Sequence, residues 1–197
     1  MAENLKTTKY NDGTPIPNVT DNTAWAALTT PAYCWYNNDA TTYKATYGAL
    51  YNWYVVNAAN NVGKNVCPTG WHVPTDTEWH TLVLYLDAIA LFSNTESLIA
   101  GGKLKETGTT HWESPNTGAT NKSGFTALPG GERNFAGAFD ISGSNSIFFH
   151  SNGCWWSSTE QYDFNAYYRR LYNSLNELYS SLAVKQFGYT VRCLKDN

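Results

Sequence analysis

The clearest periodic pattern in the chain lies between positions 75 and 86. Its apolar positions, spaced i, i+3, i+4 and i+7, are Trp79, Leu82, Val83 and Leu86. This spacing places all four side chains on one face of an amphipathic helix. Thr75 precedes them as an N-cap residue, and Glu78 follows it at the spacing of a capping box, in which each side chain bonds the other residue's backbone N–H. The pattern predicts a helix that begins after Thr75.

A second segment with helical spacing covers residues 47–57. The positions that recur at steps of three and four residues are Ala49, Leu50, Trp53, Tyr54 and Asn57. They form one stripe when placed on a helix of 3.6 residues per turn. We therefore expect a second amphipathic helix from Tyr47 to Asn57.

Beyond Gly101 and Gly102 the pattern changes to short segments separated by Gly, Asn, Ser and Pro. The segments that read as strands are 125–128, 154–158, 166–172, 178–185 and 189–194. Two helices followed by an antiparallel β half indicate the α+β class. Because no internal repeat or linker divides the chain, we expect one loop-rich domain over residues 1–197, with two helices packed on short antiparallel sheets.

The predicted strand 166–172 offers one candidate binding face. Successive side chains of a strand point to opposite sides, so Tyr168, Arg170 and Tyr172 share one face and Leu171 lies on the other, where we expect it to be buried. Exposed Tyr and Arg are typical of binding hot spots. Residues 162–189 hold 6 of the 14 tyrosines, mixed with Ser and Asn as in antibody loops. Tyrosine also favours strands, so composition alone supports binding and simple strand formation equally.

Charge and hydropathy exclude two kinds of partner. The formal net charge is −3, and the only dense basic cluster is Arg169 with Arg170, so the clustered cations of a nucleic-acid interface are missing. No stretch approaches the roughly 20 apolar residues that span a bilayer. The first residues, MAENLKTTKYNDG, lack the apolar region of an export signal. We expect no nucleic-acid partner, no membrane insertion by this chain and no export signal within it.

Residues that could carry chemistry are scattered along the chain. The four cysteines are Cys34, Cys67, Cys154 and Cys193, and their spacing leaves three disulfide pairings open. None has metal-clip spacing and the four histidines form no H-x-x-x-H pair, so we predict no metal centre, no cofactor and no catalytic residue. Glu160 with Asp163, or Glu132 with Asp140, could be proposed as a glycosidase pair, but a chain with 16 acidic residues offers many such pairs.

Several long motifs resemble a known family. They are CPTGWHVPTDTEW (67–79), the run AGGKLKETGTTHWESPNTGATNKSGFTALPGGERN (100–134), WWSSTE (155–160) and GYTVRCLKD (188–196), joined by the segments 1–25 and 47–57. Together they resemble the Fibrobacter succinogenes major paralogous domain over nearly the whole chain. That family is similar to the formylglycine-generating-enzyme branch of the C-type lectin fold, and many of its members are exported bacterial surface proteins. The resemblance implies a C-type lectin-like fold, a cell-surface or secreted location, and a Cys67–Cys193 disulfide.

The resemblance also implies a variable C-terminal region at about 161–187. In the family this region is commonly rich in Asn, and here other residues replace Asn or Tyr at Arg170, Leu175, Glu177, Leu182, Ala183, Val184 and Phe187. The positions at which this chain resembles the family pattern are Ala166, Arg169, Leu171, Gly188, Val191, Arg192 and Cys193. Such a pattern resembles that of the variable proteins encoded with diversity-generating retroelements. These retroelements mutate adenines, so asparagine codons in the variable region become codons for many other residues. The implied residues for binding a protein or cell-surface ligand are Tyr162, Asp163, Phe164, Tyr168, Arg170, Tyr172, Asn173, Ser174, Leu175, Asn176, Glu177 and Tyr179. Glu177 departs from the pattern, because changing only the adenines of an AAC codon does not produce glutamate.

Two alternatives to a diversified binding protein stay open. One is an enzyme like the formylglycine-generating oxidases, which need a closely spaced pair of reactive cysteines, whereas Cys154 and Cys193 lie 39 residues apart in sequence. The other is a surface adhesin or structural paralogue without a diversified site. The calcium-dependent sugar motifs of lectins are missing, and a structural calcium ion near Asp140 and Glu160 is a minor further expectation.

Overall fold

The computed structural model of the chain describes residues 1–58, 61, 63–139 and 149–196. The helices in these ranges are α1 (Asn22–Ala26), α2 (Ala40–Tyr47), α3 (Trp53–Val56), α4 (Asp76–Leu86) and α5 (Ala100–Leu104), with one 3₁₀ turn at Tyr36–Asn38. The strands are β1 (Tyr33–Cys34), β2 (Leu50–Tyr51), β3 (Trp71–His72), β4 (Thr95–Ser97), β5 (Asn152–Tyr162), β6 (Asn165–Tyr172), β7 (Leu178–Val184) and β8 (Leu194–Lys195). Helices in the first half and an antiparallel sheet in the second confirm the α+β class.

Among the described residues, no helix has both the length and the apolar character needed to cross a bilayer.

Helix α4 confirms the capping-box prediction. The Thr75 hydroxyl accepts a hydrogen bond from the Glu78 N–H at 3.2 Å, and the Glu78 carboxylate accepts one from the Thr75 N–H at 2.8 Å. Both bonds satisfy N–H groups that have no partner inside the helix. The buried face of α4 includes Trp79, Val83 and Leu86, as the apolar spacing predicts.

The predicted helix from Tyr47 to Asn57 is wrong. Helix α2 ends at Tyr47, and Gly48 follows with φ of +79°, a conformation that glycine adopts without strain. A side chain at Gly48 would also collide with the Leu5 carbonyl, since its Cβ would lie 2.7 Å from that oxygen. The chain then forms β2 and the single turn of α3. Most positions of this segment are buried, so apolar residues occur at many spacings, and those at helical steps do not indicate a helix.

The main sheet has the order β4-β7-β6-β5, and all its pairs are antiparallel. One face packs on a core that contains Trp156 and Tyr168, and the other packs on α4 through Trp155 and Leu171. Strand β6 is therefore an inner strand with apolar layers on both sides. This arrangement confirms the strands predicted at 154–158, 166–172 and 178–185, and it buries Leu171 as expected.

Two further strand predictions are met only in part. Within the segment 125–128, the chain makes a single parallel bridge between Lys105 and Ala127 and forms no strand. Within 189–194, Tyr189 and Thr190 make isolated bridges, and strand β8 begins only at Leu194. In 125–128 the side chains of Arg192 and Trp112 donate to backbone carbonyls, whereas residues 189–191 bond to the backbone of neighbouring segments.

The Cys67–Cys193 disulfide implied by the family resemblance is present. The two Cα atoms are 5.9 Å apart, and the bridge joins positions separated by 126 residues. Strand β3 lies shortly after Cys67 and pairs with β8, which directly follows Cys193. The covalent bridge and this two-stranded sheet thus connect the start of the α4 region to the end of the chain.

Buried cations hold the long loops in place. Arg133 has no exposed surface, and its guanidinium donates to the carbonyls of Val19 at 2.6 Å and Thr20 at 2.9 Å. Lys105, also fully buried, donates to the carbonyls of Thr117 and Leu175 in loops and of Tyr172 at the end of β6, at 2.7 to 2.9 Å. Arg192 donates to two more. Because a buried carbonyl without a donor is costly, these side chains let irregular chain pack in the interior.

Candidate ligand-binding surface

Most of the residues predicted to bind a ligand lie at the two ends of β6, while Tyr168 and Arg170 lie within that strand and Tyr179 lies on β7. Tyr162, the last residue of β5, and the two turn residues Asp163 and Phe164 lie together where β5 turns into β6, and we name these three residues the hairpin tip. Residues 173–177 form the loop between β6 and β7, which we name the far loop. Strand β6 has eight residues, so the two groups lie about 24 Å apart along the strand. They are two separate surfaces rather than one continuous site.

The hairpin tip presents aromatic side chains on a fixed backbone. Tyr162 is 56% exposed and Phe164 is 63% exposed. Beneath them, Lys185 donates from its N–H to the Phe164 carbonyl at 3.0 Å and from its ammonium group to the Asp163 carbonyl at 2.6 Å. The same ammonium group pairs with Glu160. Lys185 is itself buried, and its ammonium nitrogen lies 4.8 Å from the centroid of the Trp53 ring. The backbone of the tip is therefore held by contacts to a buried side chain.

The prediction of an exposed face on β6 is wrong for Tyr168. Its exposure is only 7%, and its ring packs 4.7 Å from the Tyr189 ring and 6.2 Å from the Trp156 ring, between ring centroids. Burial raises the pKa of Tyr168 to about 12. The alternation of β6 separates two buried layers here, because the side that carries Tyr168 is covered by a core cluster drawn from both halves of the chain, which includes Tyr51 and Tyr189.

Arg170 is mostly covered as well. Its side chain is 12% exposed and forms an ion pair with Glu132. Its Nε donates to the Cys154 sulfur at 3.1 Å, and a terminal nitrogen donates to the Tyr172 hydroxyl at 3.3 Å. Arg170 is therefore a positioned, partly accessible residue rather than a free surface cation. No sequence pattern identified Glu132 as its partner, because only the tertiary fold brings residues 38 positions apart together.

Tyr172 and Tyr179 sit beside Arg170 and are both half-buried. Their rings meet edge to face, with centroids 5.7 Å apart, and the Arg170 guanidinium lies 5.7 Å from the Tyr172 ring. Edge-to-face packing of this kind fixes both rings. This pair retains part of the accessible tyrosine surface that the sequence predicts on β6.

The far loop is largely anchored to the rest of the protein. Leu175 contributes one of the carbonyls that Lys105 binds, at 2.7 Å. The Asn176 carbonyl accepts from the Gly102 N–H at 3.1 Å, and its side chain lies so close to Gly102 that a Cβ there would come within 2.0 Å. Ser174 is exposed, while the other members are half-buried: Asn173, Leu175, Asn176 and Glu177. The loop therefore offers fewer free side chains than the hairpin tip.

Two exposed residues of the same half of the chain are missing from the predicted ligand contacts, although one of them, Leu182, lies among the substituted positions of the variable region. Phe135 is 57% exposed and packs its ring 5.7 Å from Phe187, and Leu182 on β7 is 38% exposed opposite Tyr167. Leu182 could have been found from the alternation of β7, since Ala183 next to it points into the core. No local signal marks Phe135, which lies in a turn.

The residues considered for metal or covalent chemistry do not converge. Asp140, named for calcium and for a glycosidase pair, lies outside the described residues, and Glu160 pairs with Lys185. Among the described residues, no group of three or more His, Cys, Asp or Glu side chains is arranged to hold a metal ion. Cys34 and Cys154 are both free and buried, and burial raises the pKa of each thiol to about 12.

Comparison with known proteins identifies the class of this domain. A family model described as the Fibrobacter succinogenes major domain matches residues 1–195. The chain therefore belongs to this family. A search of curated proteins and a search of solved structures each found no match.

Proposed function

We propose that this chain is a ligand-binding display domain, not an enzyme, and that it contacts a protein or cell-surface ligand through its C-terminal hairpins. We further propose that it has a C-type lectin-like fold, as one domain, and acts as a variable protein of a diversity-generating retroelement. The hairpin tip is the leading contact surface, and the half-buried pair of Tyr172 and Tyr179 is a second one.

One observation carries this proposal: burial separates the positions that follow the family pattern from those that depart from it. The positions that follow it are Ala166, Arg169, Leu171, Gly188, Val191, Arg192 and Cys193, and all seven are buried. Of the seven departures named above, only Ala183 is buried, while the other six are partly or fully exposed. A display domain needs this division, because changes at exposed positions alter binding without removing core contacts.

The chemistry of the hairpin tip suits protein recognition. Tyrosine and phenylalanine provide large contact areas with few rotatable bonds, so little conformational entropy is lost when they bind. The Lys185 contacts hold the backbone of the tip before any ligand arrives, which further lowers the cost of binding. Asp163 adds a charged group between the two rings.

The disulfide supports the proposed fold and location. Cys67 precedes helix α4 and Cys193 lies near the last strand, and these are the places of the bridge that joins helix to final strand in C-type lectins. Disulfides persist mainly in oxidising compartments, which favours a cell-surface or secreted domain.

The oxidase alternative is disfavoured by the thiols. Such an enzyme needs accessible cysteines with lowered pKa, since the thiolate is the reactive form. Cys34 and Cys154 have raised pKa values and no exposed surface. The adhesin alternative differs from the proposal in one respect: it does not require the exposed C-terminal positions to accept many residue types or to bind new ligands when they change. The library experiment below tests that difference.

The proposal is tested with two libraries displayed on yeast. The surface library diversifies Tyr162, Phe164, Leu182, Val184 and Phe187. The control library diversifies five buried positions, Ala166, Arg169, Leu171, Val191 and Arg192. Protease resistance measures the folded fraction, and sorting with labelled lysozyme as a model protein measures binding.

We expect most surface variants to fold and some to bind lysozyme, whereas most control variants should unfold. A large change at a buried position costs about 2–5 kcal/mol, and a domain of this kind is stable by only about 5–15 kcal/mol. Equal folded fractions in the two libraries would overturn the proposal. A folded surface library without lysozyme binders would equally contradict it.

A further inference from the structure

A cluster of large apolar side chains lies exposed at the corner of the main sheet formed by α4 and β4. Its members are Tyr85, Ile89, Leu91, Phe92 and Leu98, with exposures between 62% and 85%. We name it the corner patch. Tyr85 falls outside the buried face of α4, and the other four lie in the turns on either side of β4. Patches of this kind on soluble proteins mark interaction sites.

The corner patch is held in one conformation by bonds beneath it. The Ser97 hydroxyl donates to the Asp87 carboxylate at 2.7 Å, which ties the end of α4 to β4. The Leu91 N–H donates to the Glu96 carbonyl at 2.9 Å, and the Ser93 hydroxyl donates to the Thr95 carbonyl at 2.9 Å. Because these bonds occupy carbonyls of β4, a partner contacts the patch through side chains rather than by adding a strand.

The corner patch has no exposed charged residue between positions 84 and 99, and the Lys103 ammonium group lies at its edge, where it donates to the Leu86 carbonyl. Asp87 and Glu96 are the only charged residues between positions 84 and 99, and both are buried. Glu96 pairs with Arg169 and His80 inside the protein. The net charge of −3 gives only weak repulsion between two copies. An apolar surface without exposed charged side chains of its own avoids the cost of desolvating charges in an interface.

The area of the corner patch matches what a dimer needs. Taking about 200 Å² for a large side chain, the exposed fractions of the five residues give roughly 700 Å². A standard stable interface buries about 800 Å² on each partner. Leu84 and Ile99, at about two-fifths exposure each, border the patch and extend this area.

We propose that the corner patch binds a second copy of this chain and forms a symmetric dimer. Strand β4 pairs with the start of β7, whereas the end of β7 pairs beside the hairpin tip, so patch and tip lie about 20 Å apart along β7. The dimer leaves both hairpin tips free. The inference does not depend on the proposed function, but it would make a display domain bivalent and increase its avidity for a surface ligand.

The experiment measures the mass of the protein in solution by sedimentation velocity and light scattering. We expect the wild type to have twice the chain mass, and the variant Tyr85→Glu/Ile89→Glu to have the single mass. Both substituted side chains are more than four-fifths exposed, so the fold is retained. Leu98→Gln repeats the test without added charge, and we expect a weakened dimer. The matched control Tyr162→Glu/Phe164→Glu places the same charges on the hairpin tip and should remain dimeric.

Several outcomes would overturn the dimer. One is a wild type that stays monomeric at about 100 µM, well above the roughly micromolar upper limit of affinity for interfaces of this size. Another is loss of the dimer in the hairpin-tip control, which would place the interface there. Flotation of a monomeric wild type with phosphatidylcholine vesicles, lost in Tyr85→Glu/Ile89→Glu, would assign the patch to a lipid surface instead. None of these results depends on the library experiment.

Discussion

Replacing both Cys67 and Cys193 with alanine should destabilise the protein by up to about 5 kcal/mol. The bridge closes a loop with a separation of 126 residues, and the loss of chain entropy in the unfolded state grows with the logarithm of that length. For this length the chain-entropy relation gives about 5 kcal/mol at 25 °C. Residual structure in the unfolded chain reduces the effect, so this value is an upper bound.

The folded state keeps its other contacts at this point when the bridge is removed. Strands β3 and β8 still pair, and the Leu5 N–H still donates to the Val191 carbonyl at 2.8 Å. The loss should therefore appear as a lower urea midpoint in an unfolding curve followed by circular dichroism. Reducing the wild type should lower the midpoint as much as the double substitution does.

A matched control separates loop closure from packing. Cys34 is also fully buried but carries no bridge, so Cys34→Ala should cost only about 1 kcal/mol. The reasoning is refuted if the double variant unfolds within about 1 kcal/mol of the wild type. A loss in the double variant that reduction of the wild type does not reproduce would mean that packing, and not loop closure, is responsible.

Three further predictions follow from burial. Leu171→Ala should lower the free energy of unfolding in urea by about 2–5 kcal/mol, whereas Tyr167→Ala, at a half-buried position of the same strand, should lower it clearly less. Equal losses would contradict the assignment of the faces of β6. Cys34 and Cys154 should resist iodoacetamide at pH 8 in the folded protein and react after unfolding, because burial raises both pKa values to about 12; rapid labelling of the native protein would refute this. Burial lowers the pKa of Lys105 from 10.5 to about 8, so the unfolded state holds more protons between these values and stability should rise with pH there, by at most about 3 kcal/mol. A Lys105 NMR titration near 10.5 would mean that this residue contributes no pH dependence, and would refute the prediction.

The candidate site was only partly predictable, for a reason that β6 illustrates. The strand and its alternation follow from local spacing, and so does the burial of Leu171. Which of the two faces meets solvent does not follow, because it depends on what packs against the sheet. Tyr168 lies against Tyr189 and Trp156, residues that are distant in sequence, and no pattern within β6 reports their position. The hairpin tip was predicted better, since a turn between two strands projects from the sheet whatever covers its faces.

The sequence by itself determined the elements whose causes are local: the capped helix α4, the strands β5, β6 and β7, and the α+β class. Tertiary structure alone decided the rest. It split the predicted helix at Gly48, where the approach of Leu5 leaves no room for a side chain, and it paired Arg170 with Glu132. Capping, periodicity and turn formation act over a few residues and are written in sequence spacing. Burial and ion pairing depend on which distant segments share a layer, and that is settled only when the whole chain packs.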